Sequence, residues 1–139
     1  MKHNSISHSS LLGLSLLFAV TGAHAQSASR ANVPFDFKVG TKQMPAGTYT
    51  VENHTGTDIL MVRNVKTGVS ALALGRRESP AKKTNKLIFR RYGSQYFLTT
   101  IVGSKGSQGF VIPSSRQEKE LEVAQASANN ANNVEIASR

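Results

Sequence analysis

The sequence predicts an all-β fold: a small antiparallel meander of about seven strands forming a sandwich or barrel, then a short C-terminal helix and a disordered tail. Three observations support this prediction. Apolar residues between Val33 and Ile112 fall in short runs rich in β-branched and aromatic side chains. Turn residues separate these runs about every eight to twelve positions. No helical pattern lies between the runs, which favours an antiparallel sheet over a doubly wound one.

The first 25 residues are typical of an export signal. An apolar run from Leu11 to Val20 follows Lys2 and precedes the small-x-small sequence Ala23-His24-Ala25. The run has about half of the ~20 residues that a membrane-spanning helix needs. We expect cleavage after Ala25, which leaves 114 of the 139 residues in a secreted or periplasmic product. Residues 26–32 are expected to be a flexible N-terminus.

The β domain is predicted to cover residues 33–112. In its first strand, Val33, Phe35, Phe37 and Val39 alternate with polar residues and should share one buried face. Pro34 cannot donate to a strand ladder, so this strand should begin there or lie at a sheet edge.

The remaining strands follow from the same alternation and from turn chemistry. The Met44–Gly47 turn leads into the second strand, whose Tyr49 and Val51 should face the core. Lys66-Thr67-Gly68 predicts a tight hairpin between the third and fourth strands. The six later strands are expected at Thr48–Glu52, Ile59–Val65, Val69–Leu74, Lys86–Tyr92, Gln95–Val102 and Phe110–Ile112.

Residues 113–139 have a different character. Ser115 and Glu118 fit a capping box, which predicts a helix from about Arg116 to Ala126. Its strong apolar residues, Leu121 and Val123, do not share a face, so it should pack weakly. The Asn-rich stretch 128–133 is of low complexity and is expected to be disordered.

Charge is the clearest chemical asymmetry of the chain. Lys and Arg number 17 against 8 Asp and Glu, a net charge of +9 that becomes +8 when Lys2 leaves with the signal. Much of the excess lies between Arg76 and Arg91. This segment could form an anion-binding patch for polysaccharide, lipopolysaccharide or nucleic acid, but a loop that only keeps the protein soluble explains it better. The candidate residues are Arg76, Arg77, Lys82, Lys83 and Lys86.

Catalytic and metal-binding patterns are weak. With no Cys in the chain, disulfides, thiolate catalysis and Cys-based zinc sites are excluded. Glu52, His54 and Asp58 could bind a metal or move a proton, but a solvated surface loop explains them better. We therefore expect a non-enzymatic protein without metal or cofactor. Exposed edges at the Pro34 strand and the Phe110 strand would suit strand pairing between copies of the chain.

One motif resembles a known group of proteins. Residues 34–51 match the pattern PFxFxxGxxxxPAGxYxV, which short exported bacterial proteins carry after their signal peptide. The resemblance implies a small all-β domain of unassigned function and supplies no catalytic residues. Together with the export signal, it suggests an envelope-associated binding or structural role, with anionic-polymer binding through residues 76–91 as the alternative.

Overall fold

The computed structural model describes residues 29–54, 56–79, 84–103, 109–126 and 132–139. These residues form eleven strands and one helix, which confirms the all-β prediction. The predicted export signal lies outside the described residues, as do residues 80–83 at the centre of the basic loop and residues 127–131 of the predicted disordered tail. In chain order the elements are β1 (Ser29–Val33), β2 (Phe37–Val39), β3 (Lys42–Met44), β4 (Gly47–Asn53), β5 (Ile59–Asn64), β6 (Ser70–Leu74), β7 (Arg76–Glu78), β8 (Lys86–Tyr92), β9 (Gln95–Val102), β10 (Gly109–Val111), α1 (Arg116–Ala126) and β11 (Asn132–Ala137).

The first sheet has four antiparallel strands in the order β1-β4-β5-β6. Tyr49 and Val51 are buried on β4 while its alternate residues are not, as the strand alternation predicts. The predicted β5–β6 hairpin is also present. Asn64 directs its turn by accepting from the amides of Lys66 and Thr67 at 3.0 Å each, and Gly68 takes φ 74° at the end of the turn.

The second sheet has the order β11-β8-β9-β10-β7. The β2–β3 hairpin joins it, because Lys38 pairs in parallel with Phe97 on β9. A register shift between Ile88 and Phe89 interrupts the β8–β9 ladder.

The two sheets curl into a half-barrel and are linked on both sides. On one side β6 runs into β7 through Gly75, whose amide donates to the Asp58 carbonyl at 2.8 Å. A Cβ at Gly75 would lie 2.8 Å from Leu60 Cδ1, so a larger residue at the crossing would overpack the core. On the other side the backbones of Arg30 and Arg139 exchange two hydrogen bonds of 2.9 and 2.8 Å.

Aromatic side chains fill the space between the sheets. The Phe37 ring packs edge-on against Tyr49, with centroids 5.0 Å apart, and against Phe89 at 5.2 Å. Phe35 is half-buried and stacks on Tyr96 at 4.0 Å. Since the chain has no Cys, this packing and the backbone ladders hold the domain without disulfide bonds.

The helix is present over the predicted residues. Ser115 Oγ accepts from the Glu118 amide at 3.2 Å, as the capping box requires. Glu118 is the one buried residue of α1, and Val123 is 72% exposed. Within the described part of the chain, no helix has the length and apolarity to cross a membrane.

Several predictions were wrong. Residues 29–32, predicted to be flexible, belong to β1, where Ala31 and Val33 are buried. The predicted first strand is broken after Val33, at Pro34, and resumes only at Phe37. The tail was also predicted to be disordered, but from Asn132 it forms β11.

The tail orders because β11 pairs with β8 over six residues, so the backbone groups that face β8 gain ladder partners. Its half-buried Val134 and Ile136 alternate with exposed residues and pack against the core. This alternation is only three residues long, Val134 to Ile136, and directly follows the Asn-rich stretch, so the sequence pattern did not predict a strand.

The expected free edges are present only in part. The Phe110 strand, β10, lies between β9 and β7. The part of the Pro34 strand that survives as β2 lies between β3 and β9. β2 and β10 therefore have neighbours on both sides. Val33, the first residue of the predicted strand, instead ends β1 at the edge of the four-stranded sheet, so pairing with a second chain stays a prediction.

Candidate functional site

The predicted basic residues do not form one compact patch in the described structure. Arg76 and Arg77 lie on β7 and Lys86 lies on β8. Because β10 and β9 separate these strands, the two positions are about 14 Å apart across the sheet. Lys82 and Lys83 lie outside the described residues.

Two of these basic side chains already have acidic partners. Arg77 Nε lies 2.7 Å from Asp58 Oδ1, and Lys86 Nζ lies 2.9 Å from Glu135 Oε1. Arg77 also donates to the Thr57 carbonyl at 3.2 Å. Exposed ion pairs of this kind are weak, so a polyanion could displace them, but they reduce the positive field of the segment.

Arg90 and Arg91 project to opposite faces of β8, as the alternation predicts. Arg91 is exposed and donates to the Gly93 carbonyl at 2.7 Å. Arg90 lies below α1, where it donates to the Tyr92 hydroxyl at 3.3 Å and to Glu122 Oε1 at 3.4 Å. The hydrogen bond with Tyr92 is the main reason that the pKa of Arg90 is raised.

A polar cluster holds α1 on the second sheet. Glu118 is 3% exposed and its Oε1 has no hydrogen-bond partner among the described residues. Burial raises the pKa of this carboxyl, Arg90 lowers it and Glu122 raises it further. Beside Glu118 in the same turn of α1, Gln117 Oε1 accepts a hydrogen bond from Lys38 Nζ at 2.9 Å. The cluster explains how a weakly apolar helix docks.

The weak metal or acid–base candidate is not assembled. Asp58 is engaged by Arg77, and His54 lies exposed at the end of β4. Among the residues that the structure describes, no three His, Asp or Glu side chains are grouped closely enough to hold a metal ion.

A surface that the sequence reasoning missed lies on the outer side of the four-stranded sheet, here called the open face. Six large apolar side chains are exposed in the described structure, and five of them lie on the β5–β6 hairpin. Leu72 is 69% and Leu74 is 68% exposed. Their cross-strand partners are Met61 and Ile59. These four residues are the apolar end of the open face.

The opposite end of the open face is cationic. The register places Arg30, Thr50, Arg63 and Ser70 side by side across the four strands. Lys66 follows in the turn. In the described part of the chain, none of these three basic side chains forms an ion pair. Arg30, Arg63 and Lys66 are the cationic end of the open face.

A cleft of about 360 Å³ opens at the cationic end. Arg30 and Lys66 contribute to its walls, together with the polar side chains of Asn32, Thr48 and Thr67. No carboxylate lines it. The cleft can therefore offer charged and neutral hydrogen-bond donors to an anion.

The sequence motif builds one wall of this cleft. Tyr49 donates its hydroxyl to the Pro45 carbonyl, and the Ala46 amide donates to Asp36 Oδ1 at 2.7 Å. Burial is the main cause of the raised pKa of Tyr49. Gly47 lies against Asn64, and both residues line the cleft. The PAGxY residues thus have a structural role here.

Comparison with known proteins adds no further constraint. No family model, curated protein or solved structure matches this chain.

Proposed function

We propose that this chain is an exported, non-enzymatic β domain with an envelope-associated binding role, and that the open face is its binding surface. The observation that supports this is the concentration of exposed apolar side chains on one hairpin. Leu72 and Leu74 alternate with the buried Ala71 and Ala73, so the larger side chains face outward. A contiguous exposed apolar group of this kind is typical of an interaction site.

The test is co-sedimentation of the purified mature chain with bacterial envelope fragments. Replacing Leu72 and Leu74 by Ser should lower the bound fraction severalfold. Val123→Ser is the matched control, because Val123 is 72% exposed on α1, away from the open face. Circular dichroism and urea unfolding should show that both variants remain folded. Equal binding by wild type and the Leu72/Leu74 variant would refute the assignment of the binding surface.

Binding of an anionic polymer through the predicted basic segment is the second candidate. Arg76, Arg77 and Glu78 are all exposed on β7, so the two arginines are accessible. Reversing the charge at Lys82 and Lys83 by mutation to Glu should weaken binding to a defined polysaccharide or nucleic acid. Unchanged affinity at constant salt would reject this candidate.

A further inference from the structure

We propose that the open face binds an anionic phospholipid surface, with lipid phosphates at the cationic end and acyl chains at the apolar end. This inference rests on the proposed function, since it names the envelope component. It follows from the two kinds of side chain that one sheet face presents and from the distance between them.

The apolar end is suited to insertion below the lipid headgroups. Leu72 and Leu74 are the most exposed aliphatic residues of the sheet, and Ile59 beside them is 39% exposed. All three are held by the β5–β6 ladder, so they need little ordering on binding. Apolar faces of surface-bound proteins enter a bilayer by roughly 5–10 Å.

The cationic end lies at the corresponding height for lipid phosphates. Arg63 lies four residue steps after Ile59 on β5, which is about 14 Å along a strand. When Ile59 and Leu74 lie below the headgroups, Arg63 is at the headgroup level. Arg30 shares its row, and Lys66 lies beyond it. Long basic side chains can adjust their heads to the interface while their stems stay in place.

The cleft gives the cationic end its hydrogen-bonding capacity. Its volume of about 360 Å³ can admit a phosphodiester headgroup between Arg30 and Lys66. Thr48 and Thr67 add hydroxyl groups. The nearest carboxylate in register is Glu52. It shares a row with Met61 and Leu72, next to the Arg63 row, and so lies between the cationic end and the Ile59–Leu74 pair. Anions are therefore favoured at Arg30, Arg63 and Lys66 and disfavoured beside Glu52.

A lipid fits both ends of the face, whereas a soluble anion fits one. A free phosphate or an acidic polysaccharide would occupy the cationic end and leave Leu72 and Leu74 in water. A neutral apolar partner would leave three unpaired cations beside it. An anionic amphiphile removes the leucines from water and neutralises the cations together.

Vesicle flotation tests the inference with the purified mature chain. The probes are vesicles of phosphatidylcholine alone and vesicles that also contain about 30% phosphatidylglycerol. The second kind carries a negative surface charge of roughly physiological size. We expect binding only to the anionic vesicles. Neutralising Arg30 and Lys66 to Gln should weaken it about 30-fold, since each basic residue near such a surface contributes about fivefold. Replacing Leu72 and Leu74 by Ser should weaken it about tenfold or more.

Two matched variants control for charge and for apolar exposure. Arg116→Gln with Lys119→Gln removes two exposed charges from α1, and Val123→Ser removes an exposed aliphatic side chain. Both should bind like wild type. If the α1 charge variant loses as much binding as the Arg30/Lys66 variant, the net charge of the chain is responsible and the inference is wrong.

The remaining outcomes separate this inference from the proposed function. Envelope binding that depends on Leu72 and Leu74 without any affinity for anionic vesicles would overturn the lipid inference and leave the binding role intact. The lipid inference also fails, and the binding role stands, if an acidic polysaccharide displaces the chain from vesicles completely while the Leu72/Leu74 variant binds vesicles as well as wild type does. If both open-face variants bind envelope fragments and vesicles as well as wild type does, the lipid inference and the proposed function are both wrong.

Discussion

Gly47 combines a restricted backbone position with a close side-chain contact, so Gly47→Ala should be strongly destabilising. Its φ is 154°, a conformation that residues with a side chain rarely adopt. A Cβ built at this position would lie 2.7 Å from Asn64 Nδ2. Asn64 is 2% exposed and its Oδ1 accepts from Lys66 and Thr67. It cannot move aside without leaving those two amides without their acceptor.

The size of the effect follows from these two terms. The backbone conformation costs about 1–3 kcal/mol for a residue other than glycine. Displacing Asn64 costs about 1–3 kcal/mol more, because its buried hydrogen-bonding groups lose partners. We expect Gly47→Ala to reduce the free energy of unfolding by about 3 kcal/mol, a large part of the roughly 5–15 kcal/mol of a typical domain. Asn64→Ala alone should cost about 2 kcal/mol.

The double variant separates the two terms. Once Asn64 is Ala, the Cβ at position 47 has no Nδ2 to meet, so only the backbone cost remains. The two substitutions should therefore cost about 1–2 kcal/mol less together than the sum of the single changes. Urea unfolding followed by far-UV circular dichroism measures all four proteins, since the chain has no Trp for a fluorescence signal.

Gly68→Ala is the control for backbone strain alone. Gly68 has φ 74° and no heavy atom within 4 Å of its built Cβ, so its substitution should cost about 1 kcal/mol. The reasoning is refuted if Gly47→Ala costs no more than Gly68→Ala. Additivity of the Gly47 and Asn64 changes within about 0.5 kcal/mol would likewise refute the contact argument.

Two further predictions concern Glu118 and Gly75. Because the folded-state pKa of Glu118 is raised, its protonation favours the folded state; the stabilisation is complete below the ordinary carboxyl pKa and is lost as pH rises through the raised value. Glu118→Gln should remove this part of the pH dependence. The free energy of unfolding, measured in urea between about pH 4 and 8, would contradict this if it changed with pH equally in wild type and variant. Gly75→Ala should cost about 1–3 kcal/mol by overpacking Leu60 and Phe110, and an unchanged unfolding midpoint would show that the sheet crossing can relax.

Several elements could be predicted from the sequence because their causes are local. The helix at Arg116–Ala126 follows from the Ser115 cap. The β5–β6 turn follows from glycine at a positive φ. The faces of β4 follow from its strict alternation of apolar and polar residues. Each depends on interactions within a few residues.

The candidate surface could not be predicted in the same way. On β6 both alternating sets are apolar, so the pattern does not say whether alanines or leucines face inward. The register with β5 decides it, since Ala71 and Ala73 lie opposite the buried Val62 and Leu60. Close packing inside the half-barrel accommodates the small side chains there and leaves Leu72 and Leu74 outside.

Charge shows the same division between sequence and structure. The sequence by itself determined the all-β class, most strand positions and an excess of basic residues. Only the tertiary structure decided that Lys86 meets Glu135 from β11, that Arg77 meets Asp58, and that Arg30 and Arg63 share a row across three strands. Residues far apart in sequence meet through sheet register, and that register is set by packing of the whole domain.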